Sequence, residues 1–165
     1  MKDVKDEQRE RNVVVETVVR VMIPFVQLFA LYVIIHGAGG PGGGFQGGVV
    51  FASAFILYVI AFDLAGARAR FPESVNTIFS SLGLYVYGGI GLLAIIFSSG
   101  AAQYLNYGFI PFTSDFYENR ALGMDFVEMG IGITVMAITA SIFFDLSQQD
   151  GKRREEGEEE EEESR

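Results

Sequence analysis

The sequence has no cysteine, no tryptophan and a single histidine among its 165 residues. Without cysteine, the chain can form neither a disulfide framework nor a thiolate metal site. Charged residues are also scarce, at 20% of the chain, whereas half of the residues are hydrophobic. Formal charge is absent from three long stretches, 37–62, 74–114 and 129–144. Since about 20 apolar residues match the hydrocarbon core of a bilayer, this pattern excludes a soluble globular domain, a disulfide-rich secreted module and a disordered protein.

The net charge of −9 comes almost entirely from the C-terminal end of the chain. Eight glutamates fall within Glu155–Glu163, and the other residues together carry a net charge of −1. A run of like charges is typical of disorder, and no basic stripe is present that could bind nucleic acid. We therefore predict three segments: a charged leader at 1–12, a membrane domain at 13–146 and an acidic, disordered tail at 147–165.

Four apolar segments are candidate membrane spans. Their expected bounds are about Val13–Ile35, Gly48–Phe62, Asn76–Phe97 and Phe126–Phe144. A cleaved signal peptide is the less favoured interpretation of the first segment, because the segment has no clean small-x-small cleavage site and follows a long leader of mixed charge. The sequence thus predicts an all-α integral membrane protein with four transmembrane helices and a glycine-rich loop between the first and the second.

The positions of lysine and arginine predict the orientation of these spans. With four spans, eleven of the twelve basic residues lie on one side of the membrane, and Arg120 alone lies in the loop between the third and fourth spans. Basic residues concentrate on the cytoplasmic side. We therefore expect a multi-pass protein of the cell membrane with both termini in the cytoplasm.

Small residues and aromatic residues predict how the spans and their outer loop pack. The fourth span carries Gly130, Thr134, Ala137 and Ser141 on one face, which favours close contact with another helix. The segment Gln103–Tyr117 is rich in tyrosine and phenylalanine. Since aromatic side chains favour the membrane interface, we expect this loop to lie along the outer surface.

The stretch after the first span is the most informative part of the sequence. Eight of the twelve residues from Gly37 to Gly48 are glycine. The spacing Gly42-x-Gly44-x-x-Gly47 matches a dinucleotide-binding fingerprint, but that fingerprint needs a preceding strand, and both flanks here are apolar spans. A tight turn alone needs two or three glycines. So many glycines near membrane depth predict non-helical backbone that inserts among neighbouring helices.

The motif Pro41-Gly42-Gly43-Gly44-Phe45-Gln46-Gly47-Gly48, after a first span that ends in His36-Gly37, resembles the MnhB/MrpB family. Members of this family are small membrane subunits of multisubunit Na+/H+ antiporters, with relatives in membrane-bound hydrogenase and sulfur-reducing complexes. The resemblance extends over the four spans, about residues 13–146. Ala38 departs from it, because the family motif has a histidine there. The resemblance implies a subunit that helps to form a Na+ or H+ path and that contacts other membrane subunits.

Few ionisable side chains are available to carry ions. Asp125 and Glu128 are three residues apart at the start of the fourth span and so share a helix face. They could complement the helix dipole, or they could attract Na+ and share a proton. His36 could relay protons or cap the first span. The resemblance implies a position on a sodium route for Asp125 and a role in ion throughput for Phe45.

These features together predict a subunit of a cation/proton antiporter module. The sequence has no cysteine cluster, histidine pair or Ser/His/Asp set, so we expect no enzyme activity, no cofactor and no metal beyond a transient Na+. The expected partners are other membrane subunits of an antiporter or a redox-driven pump, the lipid bilayer, and the transported Na+ and H+. A purely structural scaffold of a redox-driven ion-pumping complex, without direct ion contact, is the alternative.

Overall fold

The computed structural model describes residues 2–37, 40, 42–62, 64–98 and 103–163. These residues form five α-helices and one turn of 3-10 helix, and no strand is present among them. The helices are α1 Lys2–Ile35, α2 Gly44–Phe62, α3 Leu64–Arg70, α4 Glu73–Phe97 and α5 Phe116–Glu163, with the 3-10 turn at Tyr107–Phe109.

Four of these helices are long and apolar enough to cross a membrane. The spans are Val13–Ile35, Gly44–Phe62, Glu73–Phe97 and Phe116–Gly151. The prediction of an all-α, multi-pass membrane protein with four transmembrane helices is therefore confirmed. The largest difference is at α5, which begins ten residues before the expected start. Asp115 explains the early start, because its carboxylate accepts a hydrogen bond of 2.7 Å from the Tyr117 N–H and caps the first turn.

The connection between α2 and α4 contains the short helix α3, which the sequence did not predict. Phe71 follows α3 and is buried against Val59 of α2 and Phe144 of α5. Pro72 then adopts an extended conformation, with φ −66° and ψ 151°, and precedes the first turn of α4. Proline is tolerated there because the first N–H groups of a helix have no partner within it. The buried phenylalanines hold this end of the helices together.

The four spans are arranged in the order α1, α2, α5, α4, with each helix packed on the next. At the contact between α4 and α5, a Cβ built on Gly130 would lie 2.9 Å from the carbonyl oxygen of Gly83. Asn76 of α4 donates a hydrogen bond of 2.9 Å to the carbonyl oxygen of Ala137. The small-residue face of the fourth span thus contacts α4, as expected for helices that associate by close backbone approach.

The segment between α4 and α5 folds back onto these two helices. Tyr107 and Ile110 are buried in a cluster with Ala94 of α4 and Val127 of α5. Burial raises the pKa of the Tyr107 phenol above its usual value, and the nearby Tyr87 and Tyr104 raise it further. Two apolar side chains of the aromatic segment thus reach the helix contact, whereas Tyr104, Phe109 and Phe112 are exposed, and its position along the outer surface stays a prediction.

Both terminal helices continue past the apolar spans. α1 begins at Lys2 and α5 continues to Glu163, so the backbone has no break near residues 12 or 147. α5 is helical as far as Glu163, in agreement with the high helix propensity of glutamate, and the disorder expected for the segment 147–165 stays a prediction. The 48 residues of α5 correspond to about 72 Å, more than twice the hydrocarbon thickness of ~30 Å. The division of the chain into leader, membrane domain and tail stays a prediction.

Candidate functional site

Glycines at the start of α2 bring its backbone into contact with α1 and α5. A Cβ built on Gly48 would lie 2.6 Å from the carbonyl oxygen of Gly132, and one on Gly47 would lie 2.9 Å from that of Ala30. A Cβ on Gly44 would overlap the backbone carbonyl of Glu128. No larger residue fits at these three positions without moving a helix. The glycine-rich loop between the first two spans is thus present, as predicted, but it is shorter than expected, because the second half of the motif, from Gly44, is helical and closely packed.

The carboxylate of Glu128 lies against the glycines that precede α2. A Cβ on Gly37 would overlap Oε2 of Glu128, and one on Gly43 would lie 3.5 Å from Oε1. Oε2 is buried and has no hydrogen-bond partner among the described residues. A carboxylate oxygen without a partner is expensive to bury in its charged form. The site therefore suits a proton or a small cation, either of which neutralises the carboxylate.

Asp125 lies about one turn before Glu128 on α5. Its charge interacts with that of Glu128, and its side chain is half-buried. The two acids thus form the pair that their spacing predicts. Although the resemblance implies a sodium route for Asp125, Glu128 is the acid whose side-chain atoms lie nearest the described loop glycines, Gly37 and Gly43. The spacing alone could not show this, because it places both residues on one face without indicating which of them meets the loop.

His36 lies at the end of α1, and its side chain is exposed. Its ring stacks on Tyr32, with 4.8 Å between ring centroids and an angle of 20° between the planes. Its backbone N–H donates a hydrogen bond of 2.9 Å to the Tyr32 carbonyl oxygen. Within the described residues, the imidazole forms no hydrogen bond or ion pair with Asp125 or Glu128. The structure therefore brings His36 near the acidic pair through its neighbour Gly37, but does not join its imidazole to either acid by a hydrogen bond or an ion pair among the described residues.

The remaining residues of the motif have different surroundings. Gly42 has a φ of +145°, a conformation that non-glycine residues rarely adopt, and so it allows the chain to turn into α2. Phe45 is 63% exposed and is not anchored in a pocket of this chain, and Gln46 is exposed as well. Helical periodicity explains this, because Gly44, Gly47 and Gly48 occupy the packed face. Pro41 and Ala38 lie outside the described residues.

Among the described residues, no group of three or more histidine, aspartate or glutamate side chains could hold a metal ion. The site is thus one carboxylate pair beside a glycine-rich backbone. Such a pair can be neutralised by a proton or by a weakly bound cation.

Comparisons with known proteins agree with this architecture. A family model described as "Domain related to MnhB subunit of Na+/H+ antiporter" matches residues 14–141, which include Asp125 and Glu128. A putative antiporter subunit mnhB2 of Staphylococcus haemolyticus is 32% identical, over 84% of this chain and 96% of the relative. A Na+/H+ antiporter subunit of Bacillus subtilis is 24% identical, over 88% of this chain and 99% of the relative. A Na+/H+ antiporter subunit of Alkalihalophilus pseudofirmus is 28% identical, over 86% and 96%. The chain therefore belongs to the MnhB family.

Proposed function

We propose that the chain is a small membrane subunit of a multisubunit Na+/H+ antiporter and that it has no reaction of its own. The names of its relatives support this proposal, since they are Na+/H+ antiporter subunits or putative antiporter subunits of the mnhB2 type. The matches extend over 96% or more of each of these relatives. The proposal therefore concerns a whole subunit and not a module shared by unrelated proteins.

Within this subunit, Glu128 lies on the path of Na+ or H+ and Asp125 lies at its entrance. The supporting observation is the Glu128 Oε2 atom, which is buried beside Gly37 and has no hydrogen-bond partner among the described residues. A proton or a sodium ion stabilises a carboxylate in such a place, and its departure leaves an uncompensated charge that favours rebinding. Reversible neutralisation of this kind is what a step in an ion path requires.

The subunit docks among other membrane proteins, with both termini in the cytoplasm. Large apolar side chains on α1 and α4 support the docking, because Phe25, Leu28, Tyr85 and Ile96 are each more than half exposed. Such side chains contact either lipid or a neighbouring subunit. The distribution of basic residues supports the orientation, which places Glu128 toward the outer surface.

The substitution Glu128→Gln in the complete complex tests the ion path, because it removes the charge and keeps the side-chain size. We expect Na+/H+ antiport in inverted membrane vesicles to fall by about tenfold or more, with unchanged subunit content after gentle purification. Asp125→Asn produces a smaller loss. Glu118→Gln is the matched control, since Glu118 is an exposed acid in the first turn of the same helix.

A purely structural scaffold in a redox-driven ion-pumping complex is the second candidate function. The backbone contacts of Gly44 and Gly48 support this candidate, because close packing of α2 on α5 would make the subunit a rigid spacer between larger subunits. If Glu128→Gln and Asp125→Asn, each tested alone, leave the rate of antiport and the level of the complex unchanged, the scaffold is supported and the ion path is contradicted. Co-purification of iron–sulfur or nickel-containing subunits would identify a redox-driven host complex.

A further inference from the structure

A polar cavity of about 210 Å³, open on one side, lies between the first turns of α4 and the second half of α5. Its lining includes two isoleucines and six polar residues, Asn76, Thr77, Ser80, Ser81, Ser141 and Asp145. One water requires about 10–15 Å³ by the same measure, so this cavity, here named the α4–α5 cavity, has room for several waters or a partly hydrated ion. Polar side chains at such a place within two membrane spans need water, an ion or another protein as a partner.

Asn76 lines this cavity and is almost fully buried. The side chain is 3% exposed, and its amide nitrogen donates hydrogen bonds to the Ala137 carbonyl oxygen and to the Ser141 hydroxyl. Because a carbonyl oxygen can only accept a hydrogen bond, the amide nitrogen must face Ala137, and this fixes the position of Oδ1. Oδ1 is buried and has no hydrogen-bond partner among the described residues. An unpaired amide oxygen can accept a hydrogen bond or bind a cation.

The charges at the mouth of the cavity favour a cation. Asp145 lines the cavity, and a smaller adjoining space is lined by Asp145, Glu73 and Arg68. The mouth thus has two carboxylates and one guanidinium. The ion pair between Arg68 and Asp145 is long, at 3.8 Å. Arg68 also donates a hydrogen bond of 2.9 Å to Gln148. An ion pair as exposed as this one is weak, so a cation can compete with Arg68 for Asp145.

We propose that the α4–α5 cavity binds a sodium ion through the Asn76 amide oxygen, neighbouring hydroxyl oxygens and Asp145. Hard cations take oxygen ligands, and a site with one carboxylate among neutral oxygens suits a monovalent ion better than a divalent one. Ser141 and Glu128 lie about 20 Å apart along α5, so this site is separate from the glycine-rich loop. Its role in transport rests on the proposed function, whereas ion binding itself does not.

The absence of cysteine from the sequence allows a direct test. A single cysteine is introduced as Ser80→Cys, and its reaction with a positively charged thiol reagent is followed in permeabilised membranes that contain the complete complex. We expect Ser80→Cys to react, and Na+ to slow the reaction several-fold relative to choline at equal ionic strength. K+ should protect only at higher concentration. Ser74→Cys is the matched control, because Ser74 is an exposed serine in the first turn of the same helix that does not line the cavity, and Na+ should not change its reaction.

A second variant identifies the ligand groups. Asp145→Asn is combined with Ser80→Cys, and since Asp145 is 70% exposed, the substitution leaves packing intact. We expect the Na+ concentration for half-maximal protection to rise about tenfold with loss of the carboxylate. Equal reaction rates of Ser80→Cys in Na+, K+ and choline would overturn the proposal. So would the absence of any reaction of Ser80→Cys under conditions in which Gln103→Cys, in the outer segment, reacts. If Glu128→Gln transports normally and Na+ still protects Ser80→Cys, the ion path through Glu128 fails and the sodium site stands.

Discussion

Gly37 and Glu128 are in direct contact, so that a methyl group at position 37 would overlap Oε2 of the glutamate. The glycine that follows α1 therefore determines how much space a carboxylate on α5 has. This contact joins the glycine-rich segment and the acidic pair, which are about 90 residues apart in the sequence, into one site.

The first prediction concerns this contact. Gly37→Ala adds a methyl group against Oε2 of Glu128, and we expect it to lower Na+/H+ antiport by about tenfold while the complex still assembles, because the carboxylate must move. Gly40→Ala is the control from the same loop, since its Cβ would meet only the His36 carbonyl oxygen, at 3.2 Å. The added methyl group would also lie 2.7 Å from the Cα atom of Gly43, so part of the loss comes from movement of the loop. In the double variant Gly37→Ala/Glu128→Gln, the total loss should be smaller than the sum of the two single losses, because both changes affect the Glu128 side chain. Additive losses would contradict an effect through Glu128.

The second prediction concerns the packing of α2 on α5. Gly48→Ala places a Cβ 2.6 Å from the Gly132 carbonyl oxygen, and backbone cannot yield as a flexible side chain does. We expect a loss of about 1–3 kcal/mol in the free energy of unfolding, measured by thermal denaturation of the complex in detergent. Gly66→Ala in α3 should have no such effect, because nothing lies within 4 Å of its Cβ position. Equal thermal stability of the two variants would contradict the close approach.

The third prediction concerns the hydrogen bond between α4 and α5. Asn76→Leu keeps a similar side-chain volume and removes the bonds to Ala137 and Ser141, so we expect a loss of about 1–2 kcal/mol in the free energy of unfolding. Thr17→Val is the comparison variant, because the Thr17 hydroxyl bonds only the Val13 carbonyl oxygen of its own helix. If the two variants have the same free energy of unfolding in detergent, Asn76 contributes nothing to helix association.

The fourth prediction concerns the segment between α4 and α5. Asn119 is 5% exposed, accepts a hydrogen bond of 2.6 Å from the Thr113 N–H and donates one of 3.1 Å to the Thr113 carbonyl oxygen. We expect Asn119→Ala to loosen residues 103–115, because the N–H and carbonyl groups of Thr113 lose their partner in partly buried hydrogen bonds. Hydrogen exchange of these residues should rise about tenfold or more, whereas Asn106→Ala should have a small effect, since Asn106 bonds only locally, to Gln103. Unchanged exchange would show that the buried Tyr107 and Ile110 suffice to hold the segment.

The fifth prediction concerns orientation. Single cysteines introduced as Ser164→Cys and Gln103→Cys should react with a membrane-impermeant thiol reagent from opposite sides. Position 164 should react only in inverted vesicles, because the basic residues place the termini in the cytoplasm. Reaction of position 164 in intact cells would reverse the assigned topology.

The four spans could be predicted because bilayer thickness imposes a length and a composition on each of them. The expected first span, Val13–Ile35, is also the span in the structure, and the second and third end where expected, at Phe62 and Phe97. The start of α5 was missed, because Phe116–Asp125 is not a continuous apolar run and its helix begins with the Asp115 cap. Hydrophobicity reports contact with lipid and not the full extent of a helix.

The candidate site could be predicted in composition but not in geometry. A run of glycines indicates backbone freedom in a soluble loop, whereas between membrane helices it also permits close packing, and Gly44, Gly47 and Gly48 serve the second purpose. The acidic pair was visible from its spacing. The contact between Gly37 and Glu128 was not, because nothing in either segment indicates its partner. Asn76 lies at the expected start of the third span, but its unpaired oxygen could not be predicted, because it depends on which acceptor α5 presents.

The contact of Gly44 with the main chain of Glu128 has a consequence for experiments on this residue. A Cβ at position 44 would lie 2.8 Å from the carbonyl carbon of residue 128, so the helix is located by main-chain atoms and not by the glutamate side chain. Position 128 can therefore accept a series of side chains, such as aspartate, glutamine and leucine, on a fixed support. Differences in transport within that series measure the chemistry of the side chain, free of displacement of the helix that holds it.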